Sequence, residues 1–404
     1  MMLSPEARAA CAKYVLDQAR HIIDTFGPRG PGSEGERAAQ EYVAARLEEL
    51  GATEVQREPF PVAPEAFMRF QTVAGVLMLV ACAVWWFLPP LALLPGVLAF
   101  FVTWRQFVHY HPMLDALYPQ SESLNVYARW APRGETRRRI ILNAHMDAAF
   151  EWRYHVLWPK AFPWLVRYSL AALPAALVLQ VASIPIWMGD PGSIILWWLG
   201  GLQALLVPAF VLALFFTDFD SPVPGANDNL SGVFLAAGVI RALREAESSF
   251  ENTEIACLIT GSEEAGLRGA SAWAARHAKE LRDADTAILV LDTIRDRDHF
   301  TVYQGDLNGT VRNDEALSQL VAEAAAACGH PARIGTIPLG ATDAAAFTRA
   351  RLKATALVAM NPAPARFYHT RFDSADNMDA GCVAIAAGIV GEVIRRFDEG
   401  GAPG

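Results

Sequence analysis

Through most of the chain, short apolar runs alternate with charged stretches whose hydrophobic residues recur every three or four positions. The runs Ile140–Asn143, Glu254–Thr260 and Ala287–Leu291 predict buried strands, whereas Gly35–Leu50, Ser231–Arg244 and Ala380–Phe397 predict amphipathic helices. Strands and helices alternating in this way predict an α/β layer architecture around a largely buried sheet. No internal repeat or low-complexity tract interrupts it.

Two apolar blocks break the pattern. No charged residue lies between Arg69 and Arg105, and Tyr168–Thr217 is interrupted only by Met188-Gly189-Asp190-Pro191-Gly192, which has the chemistry of a turn. At about 20 residues per crossing, each block suits a membrane hairpin better than a buried core helix. The first would turn at Pro89-Pro90, its second limb extending over Gln106–Tyr110 while Arg105 reaches toward the headgroups. Trp85, Trp86, Trp104, Trp158, Trp164, Trp187, Trp197 and Trp198 lie in or beside the blocks, where indoles suit a membrane interface. The expected organisation is one discontinuous domain, 1–66, 106–157 and 218–404, carrying transmembrane inserts at 67–105 and 158–217.

Composition agrees with partial burial in lipid. Of the 404 residues, 53% are hydrophobic and 19% charged, against roughly a quarter charged in a typical soluble protein. A net charge of −9 without a basic run excludes a general affinity for nucleic acid, which needs cations to displace the phosphate counterions. The cysteines at 11, 82, 257, 328 and 382 show no C-x-x-C spacing, so neither a disulfide framework nor a thiolate zinc site is expected. The N-terminal stretch is charged and amphipathic, without the apolar region of a cleavable signal, so targeting is expected from the internal blocks.

Candidate chemistry gathers where predicted strands end, the place at which open α/β sheets hold their ligands. His145 and Asp147 form an H-x-D pair after the first of these strands. One imidazole nitrogen can bind a metal while the carboxylate accepts the other ring N–H and sets the tautomer. Asp228 lies in Pro224-Gly225-Ala226-Asn227-Asp228-Asn229-Leu230-Ser231-Gly232, readable as a helix cap or as a rigid turn whose carboxylate bridges two metals. Glu263 and Glu264 follow another strand; such a pair opens many solvated helices, but it can also divide into a ligand and a base. Asp292 ends a buried run, where a carboxylate needs a cation or hydrogen bonds. His369 stands in Tyr368-His369-Thr370, ahead of Asp373 and Asp376. Two histidines, three carboxylates and a spare glutamate are the inventory of a two-metal hydrolase. Oxygen and nitrogen ligands suit zinc, with manganese or cobalt as substitutes.

In their order, these motifs resemble the co-catalytic zinc aminopeptidases of metallopeptidase family twenty-eight, of the bacterial leucyl aminopeptidase and aminopeptidase Y type. That family also includes glutamate carboxypeptidases, glutaminyl cyclases and transferrin receptors. The resemblance rests on H-x-D after a strand, P-G-A-N-D-N-x-S-G, E-E-x-G-L-x-G-A, the strand-end aspartate and Y-H-T-x-x-D, with Gly32-Ser33-Glu34-Gly35-Glu36-Arg37 opening an N-terminal helix. It implies a three-layer α/β/α zinc-exopeptidase domain with a mixed, mostly parallel central sheet. It also implies two Zn2+ ions, one held by His145 and Asp292 and the other by Glu264 and His369, with Asp228 bridging both. Asp147 would orient His145, and Glu263 would be the general base toward a metal-bridged hydroxide that cleaves the N-terminal residue from a peptide. In many relatives a histidine follows the aspartate of Gly340-Ala341-Thr342-Asp343; here Ala344 stands there, which bears on specificity more than on catalysis.

If His145 and Asp228 share a metal pair, the block between them must cross the membrane an even number of times, and so must the first block. Four helices in two hairpins are therefore expected, with the catalytic domain on one face of the lipid bilayer. Arg69, Arg105, Lys160 and Arg167 flank the spans on the domain side, which predicts a cytoplasmic domain. Competing readings are a receptor or scaffold on a catalytically retired peptidase fold and an acyltransferase like the glutaminyl cyclases. A transporter is disfavoured because the spans carry no acidic or basic residue to mark a pathway.

Overall fold

The run Ala287-Ile288-Leu289-Val290-Leu291 is apolar on both faces of an extended chain, so it needs cover on both sides. It finds that cover in the computed structural model of the protein, which describes residues 3–400 apart from 249, 283, 284, 362 and 364. The strands are β1 (Glu54–Val62), β2 (Ser121–Trp130), β3 (Arg138–His145), β4 (Phe150–Trp152), β5 (Thr217–Pro222) and β6 (Thr253–Thr260). They continue with β7 (Asp285–Ile294), β8 (Phe300–Asp306), β9 (Val311–Arg312), β10 (Arg333–Thr336) and β11 (Lys353–Ala359). The α-helices are α1 (Pro5–Phe26), α2 (Glu34–Glu49), α3 (Phe70–Trp85), α4 (Pro89–Val102), α5 (Arg153–Leu157), α6 (Phe162–Gly189) and α7 (Ile194–Ala204). After them come α8 (Val207–Ala213), α9 (Ser231–Glu245), α10 (Arg268–Arg282), α11 (Glu315–Ala327), α12 (Asp343–Arg349) and α13 (Ala380–Gly400).

The chain divides into two compact units. The first runs to Pro64 and takes in Pro119–Phe150 and the chain from Ser221 on. Its sheet has the order β1-β2-β6-β3-β7-β11-β8-β10, with β9 paired to β8. The central strands β6, β3, β7 and β11 run parallel, with Leu142 opposite Cys257 on one side and Leu289 on the other, while β2 and β8 run against them. Alternation of side chains along each strand feeds both faces. Val126, Ala128, Leu142, Leu289 and Leu291 join a core with α2, α9, α11 and α13. On the other face Tyr127 meets Trp273 of α10, and Trp273 meets Phe347 of α12, with ring centroids 5.5 and 5.9 Å apart. This is the expected α/β fold with helices on both faces of a mixed sheet.

The second unit comprises Glu65–Tyr118 and Glu151–Asp220 and is built from α3 to α8. It is wider than the apolar blocks because the short polar turns at their ends join it. Ala74, Met78, Cys82, Ala99, Ala172 and Ala176 form an interior of small side chains that lets helices approach closely. Trp85 Nε1 donates to Ser183 Oγ at 3.0 Å, and Gln180 Nε2 to Gln203 Oε1 at 3.2 Å, so polar groups inside the helices partner one another. Phe87, Leu94, Met188 and Trp198 are 85%, 73%, 74% and 73% exposed, the inverse of a water-soluble surface.

Among the described residues, three stretches are long and apolar enough to cross a membrane: Pro89–Val108, Phe162–Gly189 and Ile194–Ala213. The expected pair of full-length hairpins needs correcting to this extent. With 16 residues, α3 spans about 24 Å at ~1.5 Å per residue, short of a hydrocarbon core of ~30 Å. Pro89 and Pro90 occupy the first turn of α4 rather than the bend, where their fixed φ suits a helix start. The bend therefore draws on Trp86-Phe87-Leu88. The extension past Arg105 is present, since Thr103–Val108 carries the α4 helix onward as a π-helical turn.

One contact in the first unit ties the sheet to the helix layer. A Cβ on Gly232, at the start of α9, would lie 2.3 Å from Leu291 O and 2.6 Å from Asn229 Oδ1. Gly232→Ala should destabilise the full chain by about 1–3 kcal/mol, read as a lower denaturant midpoint in detergent; an unchanged midpoint would contradict this close approach.

Candidate metal centre

Each candidate ligand sits on a loop or strand end whose shape the surrounding polar groups dictate. His145 is the last residue of β3, and Asp292 lies near the end of β7. The Asp228 loop is laced to β7: Asn229 Oδ1 accepts from Gly232 N and Thr293 N at 3.2 Å each, and its Nδ2 donates to Leu291 O at 2.9 Å. Ser231 Oγ donates to Asn227 O at 2.6 Å and accepts from Ile294 N at 3.0 Å. The capping and metal-binding readings of this loop are therefore compatible, because Asn229 holds the helix start and Asp228 remains available.

Buried carboxylates shape the other loops by collecting backbone N–H groups. Asp147 accepts from Glu263 N and Glu264 N, both at 2.9 Å, while His145 Nδ1 lies 3.2 Å from the main-chain O of Asp147 and 3.4 Å from its Oδ1. Its carboxylate thus reaches His145 and the Glu263–Glu264 turn together. Glu36 of α2 accepts from Ser262 N at 2.6 Å and Gly32 N at 2.7 Å. Asp373 accepts from Asn227 N and Nδ2 at 2.9 and 2.7 Å and from Asp228 N at 3.1 Å.

Two groups of side chains come together around Asp228. His145, Asp228 and Asp292 offer ligand atoms within 4.8 Å of one another, and so do Asp228, Glu264 and His369. The Oδ1 of Asp228 is 3.2 Å from His145 Nε2, and its Oδ2 is 3.2 Å from His369 Nε2, which in turn is 3.2 Å from Glu264 Oε1. Ligands about 2.0–2.1 Å from a tetrahedral zinc stand roughly 3.3 Å apart, so these separations fit shared coordination. Each group can therefore hold a metal, with one oxygen of Asp228 facing each.

The electrostatics favour cations at the same points. Burial, then Asp228, pushes Asp292 up to about 7. Glu263 is held well above its ordinary range by burial and by Glu264, Asp343 and Asp292. Burial opposes ionisation of Asp228 as well, but hydrogen bonds from His145 and His369 outweigh it and hold that carboxyl low. Conversely, burial disfavours the His369 cation, yet Glu264 and Asp228 raise it to about 10. A cluster that draws protons onto its imidazoles in this way is equally suited to divalent cations, which answer the same charge once the imidazoles are neutral ligands.

All seven residues singled out by the motifs, His145, Asp147, Asp228, Glu263, Glu264, Asp292 and His369, are in this region. Asp376 is not; it lies exposed, 2.8 Å from Arg20. Asp343 opens α12 as a buried carboxylate that accepts from Thr260 Oγ1 at 2.5 Å. Two further contributors had no role assigned from sequence. Asp373 is the aspartate of the Y-H-T-x-x-D motif, and its hold on the Asn227 and Asp228 N–H groups shows only in the fold. Arg29, fully buried between α1 and α2, had no motif signal.

Residues 212–394 match the model of peptidase family M28, the family that the motif order resembles. The fold is similar to that of an aminopeptidase from Aneurinibacillus sp. strain AM-1, with a TM-score of 0.58 and 14% identity over 97% of this chain and 96% of that one. A Zn-dependent exopeptidase from Parabacteroides distasonis gives 0.55 and 15% over 98% of both chains. A glutaminyl cyclase from Bacteroides thetaiotaomicron, bound to N-acetylhistamine, likewise gives 0.55 and 15% over 98% of both. At these identities the likeness concerns the fold. No curated protein matches the chain.

Asp373→Asn keeps the shape but replaces one of the two oxygens that accept from Asn227 and Asp228 by an amide donor. It should cost about 1–3 kcal/mol of stability, the range for leaving a buried donor unsatisfied. The exposed Asp376→Asn should leave the denaturation midpoint unchanged, and equal midpoints for the two variants would contradict the role of Asp373.

Proposed function

Taking residues 212–394 as a segment of peptidase family M28, we propose that the chain is a membrane-anchored di-zinc metallopeptidase that removes N-terminal residues from peptides. The observation that carries this is the shared carboxylate: the two oxygens of Asp228 face one histidine each, at 3.2 Å. His145 and Asp292 would hold one zinc, Glu264 and His369 the other, with Asp228 between them. When bound, the ions supply Lewis acidity to a scissile carbonyl and acidify a coordinated water. Asp147 holds both the His145 ring and the turn that presents Glu263. Glu263, with its proton affinity raised by burial and neighbouring carboxylates, takes a proton from the attacking water and returns it to the leaving amine.

A second reading has one specific support, the equal likeness in fold to a glutaminyl cyclase. It would use the same base to transfer an acyl group within an N-terminal glutaminyl peptide. Two complete ligand groups favour hydrolysis and speak against a retired receptor, in which ligands would have been free to change.

The chain would be held by two hairpins of four crossings in all, α3 being accommodated by local thinning of the bilayer. The catalytic unit would be cytoplasmic. Cys328 is the one cysteine not fully buried. An impermeant maleimide should label it only after cells are opened, and labelling in intact cells would reverse the orientation.

Chelation should abolish release of N-terminal residues from a panel of peptides, and zinc should restore it at about two ions per chain. Glu263→Gln should lower kcat by roughly 10²–10⁴-fold with the zinc content kept. Retained turnover would remove Glu263 as base. Ammonia release with ring closure of glutaminyl peptides, without hydrolysis, would replace the peptidase reading by the cyclase.

A further inference from the structure

Arg29 has no exposed surface, and among the described residues no charged side chain hydrogen-bonds to its guanidinium. Its Nε donates to Met146 O at 3.1 Å, and Nη2 donates to Pro224 O at 2.9 Å and to Gly225 O at 3.1 Å. Its own carbonyl accepts from Ala148 N at 2.9 Å. One residue thus grips two limbs of chain: 146–148, which follows His145 and contains Asp147, and 224–225, which leads into Asp228. The second limb is shaped around the guanidinium. Gly225 has φ +62, and a Cβ there would lie 2.9 Å from Arg29 Nη2 and 2.7 Å from Ala148 Cβ.

The two limbs are far apart along the chain. Between Phe150 and Ser221 the backbone belongs to the helical unit, so the two limbs are not held together by a short loop. The limbs pair as β4 and β5 where the chain leaves and returns, Val223 N donates to Ala149 O at 2.9 Å, Ala148 and Ala149 pack on Val223, and Arg29 adds the ties nearer His145 and Asp228.

Three carboxylates lie near the Arg29 cation, Asp373, Asp147 and Glu36, and they collect the N–H groups of Asn227, Asp228, Ser262, Glu263 and Glu264. Lysine could supply the charge but not a planar fork directed at three carbonyls.

We propose that Arg29 is a positioning residue: by donating to Met146 O on one limb and to Pro224 O and Gly225 O on the other, its guanidinium sets the separation of His145 from Asp228. The proposal rests on the zinc reading above. It is tested on the full chain in detergent with Arg29→Met and Arg29→Lys, measuring zinc affinity by competition with a chromophoric chelator, together with kcat, KM and the melting temperature. Arg29→Met should bind zinc about 10–100-fold more weakly, as for loss of other groups that orient metal ligands. Its kcat should fall while KM changes little, and Arg29→Lys should fall between it and wild type. A folded Arg29→Met chain with wild-type zinc affinity and kcat would overturn the proposal. If that variant does not fold, Arg29→Lys decides: wild-type affinity there overturns the role of the fork, and a tenfold or larger loss supports it. A wild-type chain that binds no zinc would instead overturn the zinc reading, a result distinct from equal binding by wild type and variant.

Discussion

Bringing Asp228, Asp292, Glu263 and Glu264 within reach of one another at the end of a buried sheet sets the constraint on which the rest depends. Like charges in a medium of low dielectric repel strongly unless cations or hydrogen bonds answer them. The fold answers at two levels. His145 and His369 stand against the two oxygens of Asp228, where they share its charge with whatever cation the site holds. Behind them, the carboxyl groups of Asp147, Asp373 and Glu36 collect backbone N–H groups and turn the loops so that the ligand carboxylates converge. Arg29 is the buried cation among this second set.

The same constraint explains how the chain tolerates a long apolar excursion between two of its ligands. The backbone departs after Phe150 and returns at Ser221, and the limbs on either side are tied by the β4–β5 pairing, by the Val223–Ala149 hydrogen bond and by Arg29. An insertion at a point where the two chain ends are already adjacent leaves the sheet register and the ligand loops undisturbed.

The periodicity of the sequence was enough for the central strands β3, β6 and β7 and for α2, α9 and α13, because their burial pattern is local and repeats every two or every three to four residues. The metal-competent residues were legible for a related reason. His145, Asp147, Glu263, Glu264 and Asp292 stand at or just after the ends of apolar strands, and with Asp228 and His369 they converge in space. The apolar blocks were legible as lipid-facing helices, but not the length of each, since Pro89-Pro90 suits a bend and a helix start equally well and the structure uses it as the start.

What sequence alone determined, then, is the α/β class, the chemical type of the site and the presence of membrane-length helices, all of which follow from residue type at short spacing. Only the tertiary structure decided that Asp147 holds the Glu263–Glu264 turn as well as His145, that Asp373 and not Asp376 serves the Asp228 loop, and that Arg29 grips both limbs. Those roles are hydrogen bonds between segments more than a hundred residues apart. Which carbonyl a guanidinium meets, or which N–H a carboxylate collects, depends on how closely packed layers bring such segments, and no spacing along the chain records that distance.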